Sequence, residues 1–77
     1  MTTISFALPE AGAVSLSIHN MQGQLVRQLI LGEMNAGYHS VVWNASDEGD
    51  HQVASGVYVN VIKAGDFVAQ KKLVLMK

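Results

Sequence analysis

The chain has 77 residues, 49% of them hydrophobic and 14% charged, with a net charge of −1 and no cysteine. A chain of this length forms one domain with a modest core, burying about 60–65% of its unfolded surface. The near-neutral charge excludes long-range attraction to nucleic acid or an anionic membrane, and the lack of cysteine excludes disulfide staples and thiolate metal sites.

The first segment, "TISFALP", alternates. Ile4, Phe6 and Leu8 share one face of a predicted strand, with Ser5 and Ala7 on the other, and Pro9 ends it because proline cannot donate to a ladder. In "VSLSIHN", Val14, Leu16 and Ile18 point inward while Ser15, Ser17 and His19 point out, the pattern of a half-buried strand. "NMQGQ" is a hairpin loop of four or five residues, Asn20 and Gly23 tolerating positive φ. "QLVRQLILGE" fits a helix or a strand by its leucines. Its neighbours favour a strand, with a bulge near Arg27-Gln28.

Asn35-Ala36-Gly37 is the next turn. His39, Val41 and Trp43 then form one face of a strand, with Tyr38, Ser40 and Val42 on the other. Residues 44–56 read as a polar loop, Gly49 at its tight turn and Val53 tucked beneath it. Two apolar runs, Val57–Ile62 and Leu73–Met76, close the chain around a hairpin at "KAGD". Both faces of these last strands are apolar, which predicts a position in the middle of a sheet or a partner beyond the core. Six to seven short strands with turns about every ten residues predict an all-β antiparallel sandwich and no long helix.

Candidate chemistry is sparse. His19, His39 and His51 lack metal-ligand spacing, and "VASGV" is not a nucleophile elbow at Ser55, so neither a cofactor nor a catalytic residue is expected. Asp47, Glu48 and Asp50, with Asn44 and Asn20 as neighbours, form an acidic loop that could hold calcium. The ordered spacing of a calcium loop is missing, and a solvated turn is the simpler reading. Trp43 with Tyr38 and Tyr58 could line a sugar platform; the phase of His39, Val41 and Trp43 instead puts the indole in the core. "QKKLVLMK" reads as a recognition tag or as a core strand with lysines that discourage edge pairing. No run approaches the ~20 apolar residues of a membrane helix. The start lacks a signal peptide, so the chain is either cytosolic or a piece of a longer exported protein.

Three segments, "ISFALPEAGAVSLSIHNMQGQLVRQL", "AGYHSVVWNASDEGDHQVASGVY" and "AGDFVAQKKLVLMK", together resemble an immunoglobulin-like domain of the flagellar hook-capping type. The resemblance spans essentially the whole chain. It is most specific at Leu8-Pro9 with Gly12, Asn20 with Gly23-Gln24, the Gly37–His39–Trp43 spacing, Ser55-Gly56-Val57-Tyr58 and the Lys72–Lys77 ending. Similar modules close many large secreted bacterial proteins and overlap in pattern with the type IX secretion C-terminal sorting domain.

The resemblance implies a non-catalytic immunoglobulin-like β-sandwich, excised from the C-terminus of a larger protein, with Met1 an added start. It implies an exported, secreted or surface location and a role in sorting, attachment or assembly. The partner would be export or assembly machinery, or the upstream domain, and the expected contact residues are Lys71, Lys72, Lys77, Val59 and Val61. The alternatives are a carbohydrate-binding module of a secreted hydrolase and a spacer that self-associates through an edge strand.

Overall fold

In the computed structural model, which describes residues 2–76, six strands follow in chain order. They are β1 (Thr2–Leu8), β2 (Gly12–His19), β3 (Leu25–Met34), β4 (Gly37–Trp43), β5 (Gly56–Ala64) and β6 (Phe67–Leu75). β1 and β4 form a two-stranded sheet. The other four form a second sheet in the order β3-β2-β5-β6, and every pairing is antiparallel. This is the expected all-β immunoglobulin-like sandwich.

The core lies between the sheets, where the inward phase of each strand meets. Ile4 and Leu8 of β1, Val14, Leu16 and Ile18 of β2, Trp43 of β4, Tyr58 and Ile62 of β5 and Leu75 of β6 are buried. Each large aliphatic side chain so buried contributes about 1.5–3 kcal/mol relative to exposure. In a domain with a stability of only about 5–15 kcal/mol, the phase of each strand is therefore strongly specified. Val53 packs against this cluster from the long connection, as the sequence predicts.

Local chemistry sets the turns. Asn20 Oδ1 accepts hydrogen bonds from the amides of Gln22 and Gln24 at 3.0 and 2.9 Å, so its side chain replaces backbone acceptors across the β2–β3 turn. Gly23 sits at φ 83°, where a side chain is disfavoured. The β5–β6 hairpin closes through Gly65-Asp66. Gly65 has φ 61° and Asp66 is not positive, the residue pattern of a type II′ turn. β3 carries two irregularities. The register against β2 shifts between Leu16 and Ser17 and again between Ile18 and His19, leaving Leu29 and Val26 unpaired. The bulge expected at Arg27-Gln28 is thus two bulges flanking it, and both unpaired residues pack on the core.

One expectation about the ending is corrected. β5 lies inside the sheet, but β6 is an edge strand. Its inward residues Leu73 and Leu75 meet the core, whereas Val68 and Val74 on the other face are 55% and 64% exposed. The two-sided apolar pattern of β6 reflects an uncovered outer face, not a central position.

Candidate interaction surfaces

The outer face of the four-stranded sheet is built from the residues that the core excludes. The register places them in rows across the strands. Leu25, His19, Val59 and Lys72 make one row; Gln28, Ser17, Val61 and Gln70 make the next. The face is concave and holds a volume of about 570 Å³. Its β2–β3 half is polar and internally bonded: Ser17 Oγ lies 3.0 Å from His19 Nε2, and Gln28 Nε2 donates to Ser15 Oγ at 2.9 Å. Its β5 half presents the half-buried side chains of Val59 and Val61.

Of the expected contact residues, Val59, Val61 and Lys72 therefore share this face. Lys71 pairs with Asn60 in the register and lies on the opposite side, because neighbours along a strand point to opposite faces. Lys77 lies outside the described residues.

The long connection between β4 and β5 is a small hairpin in its own right. The amide of Val53 donates to the Ala45 carbonyl at 2.9 Å, Ser46 bridges Gln52, and the amide of Asp47 donates to the His51 carbonyl at 2.9 Å. Asp50, not Gly49, takes the left-handed conformation at its tip, with φ 61°. At Gly49 an added Cβ would lie 2.9 Å from His51 Nδ1, a contact that the 82% exposed imidazole relieves by turning away.

The three acidic side chains each serve a different internal donor. Asp47 Oδ1 accepts from the amides of Gly49 and His51 at 2.9 and 3.0 Å. The His51 amide bond is the main cause holding the Asp47 carboxyl below its ordinary range, and the Gly49 amide and the nearby imidazole add to it. Glu48 accepts from the Gln28 amide, while its own amide donates to the Val26 carbonyl at 3.1 Å. Asp50 lies 3.3 Å from Arg27. Among the described residues no group of three acidic, histidine or cysteine side chains is placed to hold a metal ion.

Arg27 organises this hairpin. Its guanidinium donates to Ser46 Oγ at 3.0 Å and to the Asp47 carbonyl at 2.6 Å, besides the Asp50 contact. The hairpin thereby covers part of the outer edge of β3, through Val26 and Gln28. Covering an edge in this way limits unwanted strand pairing.

The aromatic residues do not form a sugar platform. Trp43 is fully buried, and its Nε1 donates to the Ser46 carbonyl at 2.9 Å. It meets Tyr58 edge to face at 5.5 Å. Tyr58 Oη donates to the Ala54 carbonyl at 2.6 Å, a bond from early β5 back to the preceding corner of the kind that marks immunoglobulin-like sandwiches. Of the three candidates Trp43, Tyr38 and Tyr58, Tyr38 is the exposed one, at 93%. His39 stacks on Phe6 at 5.4 Å, and its Nε2 lies 2.7 Å from the Asn35 carbonyl oxygen.

Two residues of consequence carry no motif. Arg27 is a lone base in an apolar strand, and the acidic tip that answers it lies about twenty positions on. Asn60 is an amide at an inward position of a valine-rich strand, and that misplacement is the one sequence signal for it.

The FlgD Ig-like domain family matches residues 2–66. The fold is similar to that of the crystal structure of FlgD from P. aeruginosa, with a TM-score of 0.76 and 21% identity. The similarity covers 95% of this chain and 59% of that one, so the chain spans well under two thirds of the protein it resembles. No curated protein matches in sequence.

Proposed function

Because the chain belongs to the FlgD Ig-like domain family, we propose that it is a non-catalytic C-terminal module of an exported bacterial protein, acting in secretion sorting, surface attachment or assembly. The observation that carries this reading is the outer sheet face, on which Val59 and Val61 line a concavity of about 570 Å³ with Lys63 at its border, and Lys72 stands beside Val59 in the register. Half-buried apolar side chains edged by a charge and amides are the make-up of a protein-binding patch. Export or assembly machinery, or the upstream domain of the same protein, is the proposed partner, and the secreted or surface location belongs to the same reading.

The test uses the parent protein with Lys72→Glu and Gln70→Glu together, both on exposed edge positions, with folding checked by the emission of buried Trp43. Export or surface retention is expected to fall at least fivefold. Unchanged delivery of a folded variant contradicts the reading.

A second reading has its own observation. Val68 and Val74 are exposed on the edge strand β6, and an open edge recognises other strands by β-addition. Self-association through β6 predicts dimers in sedimentation that Val74→Lys abolishes; a strict monomer at high concentration rejects it.

A further inference from the structure

We propose that the free edges of β1 and β6 form a strand-accepting groove for an extended, acidic segment of a partner protein. The inference rests on the binding-module reading above, but it assigns a different surface from the outer sheet face. Constant-type immunoglobulin sandwiches have seven strands; here, among the described residues, there are six, and the smaller sheet holds two. Among the described residues β1 pairs with β4 on one side and with no strand on the other. Every second residue along that free edge turns its amide and carbonyl outward.

The groove begins at this edge. One part, of about 160 Å³, is lined by the consecutive residues Ile4–Ala7 of β1 and by Phe67 and the consecutive residues 69–71 of β6. Consecutive residues line a space only with the side of a strand, since a face would contribute alternate ones. A second part, of about 300 Å³, continues past Thr2–Ser5 to Lys72 and Leu73, and Ile4, Ser5, Asn60 and Lys71 border both parts. No residue of β4 borders either.

The chemistry of the walls selects the occupant. Leu16, Ile62, Phe67 and Ala69 supply an apolar floor. Asn60, 8% exposed, borders both parts of the groove, and its side-chain amide, which keeps contact with solvent, has no protein hydrogen-bond partner among the described residues. A solvated amide at the border of an apolar floor is a ready donor and acceptor for an incoming strand. Lys71 and Lys72 are the charged residues of the lining, with no acid beside them, and Lys71 has no ion pair among the described residues. The fitting segment is an extended strand with alternate apolar side chains facing the floor and a carboxylate opposite Lys71. A second copy's β6 fits poorly, because it would bring its own adjacent lysines against these.

The probe is a capped nine-residue peptide of alternating valine and threonine, its central inward residue replaced by aspartate. It is titrated into the isotope-labelled 77-residue protein and followed by amide NMR. Shift changes are expected at Ile4–Ala7, Asn60 and Phe67–Leu73, with amide exchange along β1 slowed at least tenfold at saturation. Lys71→Glu should weaken this peptide at least fivefold and favour the same peptide with lysine at its centre; dispersed amide spectra show that the variant is folded. No shift at millimolar peptide, shifts centred on Val59, Val61 and His19, or β1 protection by dimerisation without peptide would each overturn the proposal. Lys72 and Gln70 of the export test border the groove as well, so the two claims are told apart by the NMR map: shifts at Ile4–Ala7 and Asn60 belong to the groove alone, and shifts at Val59, Val61 and His19 to the outer face alone.

Discussion

The indole of Trp43 and the ring of Tyr58 meet edge to face at 5.5 Å and 74°, and each also donates a hydrogen bond to a carbonyl of the β4–β5 connection, at Ser46 and Ala54. The pair joins the two sheets and fastens the connection between them. In this cysteine-free domain that link between the sheets rests on packing and hydrogen bonds and not on a disulfide. Tyr58→Phe keeps the ring and leaves the Ala54 carbonyl without its donor, and is expected to cost about 1–2 kcal/mol. Trp43→Ala is expected to cost about 3–5 kcal/mol, enough to unfold a domain this small. Urea denaturation of both variants checks the order; equal, small effects would contradict it.

Arg27→Ala should loosen the β4–β5 hairpin more than removal of its ionic partner does. The Asp50 side chain is 84% exposed, so that ion pair contributes little in water. The Ser46 hydroxyl and Asp47 carbonyl, by contrast, lose a charged donor. Limited proteolysis within residues 44–55 is expected to accelerate several-fold in Arg27→Ala and to change less than twofold in Asp50→Asn.

Asp47 makes the same hairpin sensitive to acid. Its folded pKa lies below the ordinary carboxylate value, first through the His51 amide bond. A depressed carboxyl contributes stability that is fully present above the unfolded pKa of about 4. That contribution is lost as pH falls through the lower folded value. Amide exchange at Gly49 and His51, compared with a reference loop, should therefore quicken below about pH 4 in the parent chain. Asp47→Asn should remove the pH dependence.

Gly65 at φ 61° carries the β5–β6 hairpin. No atom stands within 4 Å of an added Cβ, so the cost of substitution is conformational. Gly65→Val is expected to destabilise by about 1–2 kcal/mol, and Gly65→Asn by less, since asparagine tolerates the left-handed region. Thermal melts of the two variants should separate by several degrees in that order.

The sandwich was legible wherever a strand buries one face. Val14, Leu16 and Ile18 alternate with Ser15, Ser17 and His19, and the phase of Trp43 follows from Val41 and His39. The position of β6 was not legible. Apolar residues on both faces describe a covered strand and an exposed edge strand equally, and neighbours are decided by pairing with β5, far outside any local window. The Arg27 contacts span 19 to 23 residues and leave no periodic trace. The division of Lys71 from Lys72 follows from strand geometry alone; read as a cluster of charge in sequence, the two looked like one surface. Asn60 was visible as a polar residue in an inward phase, yet its place in a groove depends on where β1 ends its sheet.

The account stands on a four-stranded sheet with β5 inside it and a free edge at β6, and on a two-stranded sheet with a free edge at β1. Residue-resolved amide exchange of the isolated 77-residue protein tests this directly. The slowest exchange should fall in β2 and β5, at Leu16, Ile18, Tyr58, Asn60 and Ile62, while β1 and β6 each show protected residues alternating with fast ones. Uniform protection along β1 or β6, equal to that of β5, would mean that those edges are already paired and would contradict the account.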